Sequence, residues 1–251
     1  MKILSIGNSF SEDTMEHIGS IAKAVGITEF KFANLFIGGC SINRHYGNIV
    51  NDTAEYIYFT DQGDGWTKTK DFSIAKALGE EEWDFISIQH GTGDKSRYTS
   101  PESYENLEKL TDRVRSMNPS AKIAFNMAWV AEPESSHHEI SSYGGDQILM
   151  YEKLTALTQK YVAPLVDVVV PTGTAVQNAR PHIPKKLTRD NFHLSYDLGR
   201  YIAGLTFLKR LCDIDLNAIT HCPEGITDNE LQIAKKAVLA AVKTPYATSA
   251  L

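Results

Sequence analysis

Several features are scarce in this 251-residue sequence. Its three cysteines, Cys40, Cys212 and Cys222, are an odd and widely spaced set that does not predict a disulfide framework. No stretch approaches the roughly 20 apolar residues that are needed to span a bilayer. The 25 basic residues are outnumbered by 31 acidic ones and form no cluster. The sequence therefore predicts neither a nucleic-acid partner nor a membrane partner.

The first residues also lack the long apolar region and small-residue cleavage site of a secretory signal. Together with the few cysteines, this predicts a cytoplasmic protein, or an exported one if the gene encodes a signal peptide that the sequence omits. No internal repeat and no linker rich in Pro, Gly or Ser interrupts the chain. We expect residues 1–251 to form a single domain, and the oligomeric state is left open.

Short apolar runs alternate with longer amphipathic segments along the chain. The predicted strands are Lys2–Ile6, Phe30–Leu35, Trp83–Ile88, Lys122–Met127 and Leu165–Val170. The predicted helices are Asp13–Val25, Pro101–Ser116, Gln147–Tyr161, Leu198–Leu211 and Asp228–Val242. This alternation predicts an α/β fold with a five-stranded, mainly parallel sheet that helices cover on both faces. Residues 56–66 interrupt this alternation of strands and helices. They predict a small hairpin inserted before the third parallel strand.

Ser9 follows the first predicted strand within a glycine turn, Gly7-Asn8-Ser9. A turn from strand to helix at this point presents both the hydroxyl and the N–H of Ser9 to a substrate carbonyl. The alternative is that Ser9 only caps the helix, a role that serine often takes. Ser11, which directly precedes two acidic residues, fits the capping role better and leaves Ser9 as a candidate nucleophile.

Asp190 and His193 supply the two other residue types that a reactive serine needs. Their i, i+3 spacing allows the carboxylate to orient one ring nitrogen while the other acts as a base. An isolated Asp-x-x-His is more often a solvated surface turn. Here Ser195 follows as a candidate helix cap, and Gly199 lies where a close backbone approach is expected.

Two further turns offer hydrogen-bond donors for an oxyanion. Gly38 and Gly39 follow the second strand, where the absence of a side chain lets a backbone N–H approach a developing negative charge. After the third strand, the Gln89 amide or the Thr92 hydroxyl can supply another donor. A polar turn held by Asp94 is the structural alternative.

In their order along the chain, these residues resemble the sequence blocks of the SGNH (GDSL-like) hydrolase superfamily, and most of all a bacterial branch of undefined function. Gly7-Asn8-Ser9 is similar to the Gly-Asp-Ser block, and Asp190-Asn191-Phe192-His193 is similar to the Asp-x-x-His block. Asn34, followed five residues later by Gly39, resembles the second block of several carbohydrate acetylesterases. The resemblance implies a flavodoxin-like three-layer α/β/α sandwich, a triad of Ser9, His193 and Asp190, and oxyanion donors at Ser9 and Gly39.

The third block departs from the family pattern. The family's Gly-x-Asn-Asp aligns with Gly91-Thr92-Gly93-Asp94, so Gly93 replaces the asparagine that donates to the oxyanion. Some sugar-ester members resemble this chain in having a Gln-Gly-Glu type of block instead. This similarity implies that Gln89 takes the donor role.

The resemblance predicts a serine esterase that hydrolyses small acyl esters, above all acetyl esters on carbohydrate, with no cofactor and no metal. Its partner is then a small-molecule or glycan ester. Polar and aromatic residues that follow the fourth and fifth strands are the candidates for binding it: Asn126, Trp129, Gln177 and Arg180.

Two alternatives stay open. The missing asparagine of the third block is compatible with an SGNH-like protein that binds glycans without turnover. A metal-dependent hydrolase is less favoured, because the adjacent pair His137-His138 lacks the i, i+4 spacing of a helical zinc site.

Overall fold

The computed structural model describes residues 1–89, 101–219 and 222–251. The strands are β1 (Lys2–Gly7), β2 (Lys31–Phe36), β3 (Tyr56–Asp61), β4 (Thr67–Phe72), β5 (Phe85–Gln89), β6 (Lys122–Asn126) and β7 (Val168–Val170). The α-helices are α1 (Ser9–Met15), α2 (Ile18–Ala24), α3 (Ile42–Val50), α4 (Ile74–Leu78), α5 (Pro101–Met117), α6 (His138–Ser141), α7 (Gln147–Leu157), α8 (Thr172–Ala179), α9 (Leu198–Cys212) and α10 (Asp228–Lys243). A π-helical turn, Thr158–Val162, directly follows α7.

The chain forms two compact units, and each consists of several separate segments. Unit 1 comprises residues 1–12, 28–126 and 157–169. Unit 2 comprises residues 13–27, 127–156 and 170–251. The single-domain organisation expected from the sequence stays a prediction.

Unit 1 contains the sheet, except for the last residue of β7. The strand order is β4-β3-β2-β1-β5-β6-β7. β1 pairs in parallel with β2 and β5, and β5 pairs in parallel with β6. The predicted α/β class with a mainly parallel sheet is confirmed. The predicted number of five strands is wrong, because the hairpin of β3 and β4 joins the sheet by antiparallel pairing of β3 with β2 and so extends it to seven among the described residues.

The core of unit 1 follows from the alternation of side chains along the strands. Leu4 and Ile6 of β1 point to one face and pack with Leu35 of β2 and Ile88 of β5. Apolar residues of α3 and α5 join the same cluster. The opposite face along β1 and β5 includes the polar residues Ser5 and Gln89, both of which are buried.

Unit 2 is built mainly from helices. α8, α9 and α10 contact one another, and α2 packs on α9. Twelve of the fifteen residues of α9 are buried, so this helix is apolar on nearly all sides as expected of a central core helix. α10 begins with a capping box in which Thr227 and Glu230 satisfy each other's backbone N–H groups.

The predicted helix over Asp13–Val25 is wrong in its bounds, because the segment forms two helices that begin earlier, at Ser9. The break lies at Glu16 and His17. Glu16 pairs with Arg200 at 3.1 Å, and His17 Nε2 lies 2.9 Å from the carbonyl oxygen of Tyr196. Both partners are remote in sequence, so local periodicity gives no sign of the break. Among the described residues, no helix combines the length and apolarity needed to cross a bilayer.

Candidate active site

Ser9 is the first residue of α1, and the chain reaches it directly from the end of β1. The side chain is half-buried. The first N–H groups of a helix have no partner within it and lie at the positive end of its dipole. The turn therefore places Ser9 at the positive end of the dipole of α1.

Asn8, rather than Ser11, caps α1, so the capping role expected of Ser11 is wrong. The Phe10 N–H donates to Asn8 Oδ1 at 2.9 Å. Ser11 lies inside the first turn, and its hydroxyl is within 2.7 Å of the Asn8 carbonyl oxygen and 2.9 Å of Asn34 Oδ1. These contacts connect the helix start to β2. The role of Ser9 as nucleophile stays a prediction.

The turn that contains Gly39 is held against the turn that contains Ser9, both within unit 1. Asn8 Nδ2 donates to the carbonyl oxygen of Cys40 at 3.1 Å. The Ile37 N–H donates to the carbonyl oxygen of Gly7 at 3.2 Å. Gly39 is exposed and has a φ of 63°, a left-handed conformation that favours glycine. The structure thus brings these two predicted oxyanion donors into neighbouring turns, and their role in catalysis stays a prediction.

Cys40 does not compete with Ser9 as a nucleophile. Burial raises the pKa of its thiol to about 12, and the smaller opposing effect of Arg44 does not offset this. Its Sγ lies 3.5 Å from His45 Nδ1, which is 2.7 Å from the Tyr56 hydroxyl. At neutral pH the thiol is therefore protonated, and only the thiolate is an effective nucleophile.

Gln89 ends β5 and pairs in register with Asn126 at the end of β6. Its side chain is completely buried, and neither its amide nitrogen nor its amide oxygen has a hydrogen-bond partner among the described residues. A buried amide without partners is costly, so this group is suited to meet a bound polar atom. Thr92, Gly93 and Asp94 lie outside the described residues.

Asp190 and His193, both in unit 2, form the arrangement predicted from their spacing. Asp190 Oδ2 lies 2.6 Å from His193 Nδ1. Asp190 Oδ1 accepts the N–H groups of Phe192 at 3.0 Å and of His193 at 2.6 Å. Asn191 adopts a φ of 63°, which folds the loop tightly enough for these contacts. The carboxylate therefore fixes the loop backbone through Oδ1 and the imidazole, at its Nδ1, through Oδ2.

The ionisation of Asp190 supports this role. Partial burial raises the pKa of its carboxyl group, but hydrogen bonds from the His193 ring and from the N–H groups of His193 and Phe192, together with the charge of His193, outweigh that effect. The net result is a pKa below the ordinary value. Asp190 is thus an anion at neutral pH, as the orienting member of a catalytic triad must be.

Backbone and side-chain groups of residues 129–137 hold the same loop. Trp129 Nε1 donates to the carbonyl oxygen of Phe192 at 2.8 Å, and the Glu132 N–H donates to that of Asn191 at 2.8 Å. The His137 ring stacks on Phe192 with centroids 3.9 Å apart. Trp129 is buried, with 2% of its surface exposed. In this structure it supports the loop of residues 189–194, the histidine loop. Its predicted role in binding substrate stays a prediction.

Gln177 and Arg180 are brought together by a buried network in unit 2. Arg180 donates to Gln177 Oε1 and to the carbonyl oxygen of Val130, both at 2.7 Å, and it lies 3.2 Å from Glu132 Oε1. Glu132 Oε1 also accepts the hydroxyl of Thr188 at 3.1 Å. Burial lowers the pKa of Arg180, and Glu132 opposes this by stabilising its positive charge. These contacts connect the end of α8 to the base of the histidine loop. The predicted contact of Gln177 and Arg180 with substrate stays a prediction.

Asp13, one of the two acidic residues after Ser11, contacts the residues on either side of the Asp190–His193 segment. Its partners lie more than 170 residues away in sequence, so the only local signal is its position one turn after Ser9 in α1. Glu132 carries no local signal at all.

Among the described residues, no group of three or more His, Cys, Asp or Glu side chains is placed to hold a metal ion.

Comparison with known proteins identifies the family. A family model described as "Domain of unknown function (DUF4886)" matches residues 2–241. The chain belongs to the DUF4886 family. A DUF4886 protein from Bacteroides uniformis ATCC 8492, solved by crystallography, is 32% identical to it, with a TM-score of 0.93 over 100% of this chain and 98% of that chain. No curated protein matches the chain in a sequence search.

More distant solved structures place this DUF4886 protein in a wider fold group. A member of the lipolytic G-D-S-L family from Veillonella parvula DSM 2008 is 16% identical, with a TM-score of 0.52 over 83% of this chain and 97% of that chain. An acetyl xylan esterase, AlAXEase, is 15% identical, with a TM-score of 0.50 over 82% of this chain and 98% of that chain. At such low identity the likeness shows the fold alone. The chain has the fold of the SGNH (GDSL-like) hydrolases, as the motifs predicted.

Proposed function

We propose that this DUF4886 protein is a serine ester hydrolase of the SGNH type, with Ser9 as nucleophile, His193 as base and Asp190 as the group that orients His193. The observation that carries the proposal is the Asp190–His193 pair, in which one carboxylate fixes both the imidazole at 2.6 Å and the backbone of its own loop. A solvated surface turn does not require both carboxylate oxygens to be used in this way. The position of Ser9 at the start of α1 supports the assignment of the nucleophile.

The reaction proceeds in two stages. Ser9 Oγ attacks the ester carbonyl while its proton passes to His193 Nε2, and the carbonyl oxygen becomes an oxyanion. When the tetrahedral intermediate collapses, the bond to the alcohol oxygen breaks and His193 returns the proton to the departing alcohol. Water then attacks the acyl-Ser9 ester with His193 again as base, and the carboxylic acid is released with Ser9 restored.

Backbone N–H groups of Ser9 and Gly39, together with the Gln89 amide, are proposed to stabilise the oxyanion. The neighbouring turns of Ser9 and Gly39 support this assignment, as does the Gln89 amide, which has no hydrogen-bond partner among the described residues. Loss of one such donor costs about 3–4 kcal/mol of barrier stabilisation in well-studied hydrolases. Of the three donors, the assignment of Gln89 depends on the observation that its buried amide has no described partner.

We further propose that the acyl group is small, above all acetyl, and that the alcohol is a carbohydrate hydroxyl. The spacing of Asn34 and Gly39, which resembles that of carbohydrate acetylesterases, supports this preference. Acetate release from acetylated xylo-oligosaccharides should exceed hydrolysis of p-nitrophenyl palmitate. Faster cleavage of the long-chain ester would contradict the preference while leaving the hydrolase assignment intact.

Turnover of p-nitrophenyl acetate tests the assignment of Ser9. The Ser9→Ala variant should lose at least ~10⁴-fold in kcat, because the covalent route is closed. Ser20→Ala, at an exposed serine of α2, is the control for the substitution itself and should retain wild-type turnover. Retention of full activity by a folded Ser9→Ala variant would refute the nucleophile.

A further inference from the structure

Asp13 is a completely buried carboxylate that accepts hydrogen bonds from three groups of unit 2. Arg189 Nη1 lies 2.9 Å from its Oδ1, and Arg200 Nε lies 2.8 Å from the same oxygen. The Leu194 N–H donates to its Oδ2 at 2.8 Å. Both oxygens are thus occupied, and the buried negative charge faces two guanidinium groups. A buried charge is tolerated only when it is paired and hydrogen-bonded in this manner.

Two of these donors are the residues that flank the Asp190–His193 segment. Arg189 immediately precedes Asp190, and Leu194 immediately follows His193. Arg189 also donates from its guanidinium to the carbonyl oxygen of Leu194, and its N–H donates to the carbonyl oxygen of His193 at 2.9 Å. Asp13 therefore holds the two ends of the loop at one point. The orientation of the His193 ring depends on the loop backbone. The contacts of Asp13 with Arg189 and Leu194 therefore also affect the orientation of the ring.

The third donor keeps the carboxylate itself in place. Arg200 belongs to α9, the central helix of unit 2, and only 8% of its surface is exposed. Its Nη1 pairs with Glu16 at 3.1 Å, so the guanidinium is held by two carboxylates. Arg189 and Arg200 both lie 4.7 Å from the centroid of the Tyr196 ring. The Asp13 carboxylate is therefore held from α9 as well as from the loop.

We propose that Asp13 is a positioning residue for His193: its carboxylate fixes the loop that presents the imidazole, and it lies one helical turn after Ser9 in α1. This inference rests on the proposed function. Asp13 does not touch the substrate and takes no proton. A displacement of about 1 Å in a catalytic group can lower a rate by ~10²-fold, so the loss of this anchor should be seen in kcat rather than in KM.

Asp13→Asn is the first test. The substitution keeps the shape of the side chain but replaces one accepting oxygen with an NH₂ group, which cannot accept from the Leu194 N–H or from a guanidinium. We expect kcat for p-nitrophenyl acetate to fall by ~10²-fold with KM changed by less than about twofold. Asp167→Asn is the matched control, because Asp167 also accepts from an arginine, Arg115 at 2.9 Å, and from a backbone N–H, that of Ile123 at 2.7 Å. It should retain wild-type kcat.

Arg189→Met is the second variant, which decides the matter if Asp13→Asn fails to fold. It removes one donor but leaves Asp13 paired with Arg200, so the buried carboxylate keeps a counter-charge. Arg189→Met should show the same fall in kcat at nearly constant KM. Wild-type kcat in a folded Asp13→Asn or Arg189→Met protein would overturn the proposal.

The His193 ring itself gives a readout that does not need turnover. The proton between His193 Nδ1 and Asp190 should give a downfield proton NMR signal that disappears in Asp190→Asn. We expect Asp13→Asn to broaden or remove this signal and Asp167→Asn to preserve it. An unchanged signal in Asp13→Asn would overturn the positioning role. If the wild-type protein cleaves no ester at all, the proposed function fails, and the NMR comparison still decides whether Asp13 positions the ring.

Discussion

Asp190 uses its two carboxylate oxygens for different tasks. Oδ1 accepts the backbone N–H groups that shape the loop, and Oδ2 holds the imidazole of His193. Because a single side chain does both, the conformation of the loop and the direction of the ring cannot vary independently. Trp129 and Glu132 bind the loop carbonyl oxygens and restrict it further.

The depressed pKa of Asp190 predicts how stability depends on pH. The ionised carboxylate stabilises the folded state above the ordinary aspartate pKa of 3.8, and this contribution is lost as the pH falls through the lower folded-state value. Asp190→Asn should therefore lose less thermal stability between pH 5 and pH 2 than the wild-type protein does. Melting temperatures measured across that range by circular dichroism provide the check. Asp112→Asn, at an exposed aspartate, should follow the wild-type profile, and an identical profile for Asp190→Asn would contradict the assignment.

At the scale of elements, the start of α9 is fitted closely to the strand-like segment that carries the histidine loop. Ser195, predicted as a cap, accepts the N–H of Gly199 at 2.9 Å. A Cβ at Gly199 would lie 2.3 Å from the carbonyl oxygen of Leu187, so the close backbone approach expected from the sequence is present. The contact joins the helix to the segment directly before the Thr188–Leu194 bridge.

Gly199→Ala should consequently destabilise the protein by at least ~1 kcal/mol, because backbone atoms must move to admit the methyl group. Gly47, inside α3, is the matched helical glycine, since a Cβ there would have nothing within 4 Å. Gly47→Ala should stabilise the fold by about 0.5–1 kcal/mol through helix propensity. Urea unfolding of both variants measures the two effects, and a neutral Gly199→Ala would show that the start of α9 has room to shift.

The elements that could be predicted from the sequence are those whose pattern is local. β1, β2, β5 and β6 begin and end within two residues of their predicted bounds, because continuous apolar runs are typical of buried parallel strands. β7 is shorter than the predicted Leu165–Val170, and the first residue of that prediction, Leu165, belongs to a 3-10 turn that contains Pro164. α8 was missed because its sequence of Thr, Gly and Val has low helix propensity, and burial of all eight residues compensates for this.

The same distinction between local and long-range contacts applies to the candidate site. The Asp190–His193 contact spans three residues, so its spacing was enough to predict it. Asp13 and Arg189 are 176 residues apart, and no periodicity relates them. The Gln147 amide donates to the Ala131 carbonyl oxygen and to Glu132. These contacts also form only in the folded chain. Local motifs therefore identified the candidate chemistry, and tertiary packing determines the groups that hold it in place.

The molecule as a whole has the SGNH fold and belongs to the DUF4886 family. The sheet and the turn of Ser9 are in unit 1, and the loop of His193 is in unit 2. The proposed activity is that of a serine hydrolase with Ser9 as its nucleophile. It requires Ser9 to be more reactive than any other serine of the protein, since an unactivated hydroxyl is a weak nucleophile.

Labelling with a fluorophosphonate at pH 8, followed by peptide mass spectrometry, measures whether Ser9 has this reactivity. We expect one adduct per chain, located on the peptide that contains Ser9, with none in Ser9→Ala and a strongly slowed reaction in His193→Gln. Labelling of Ser11, or of no residue in the folded wild-type protein, would contradict the account.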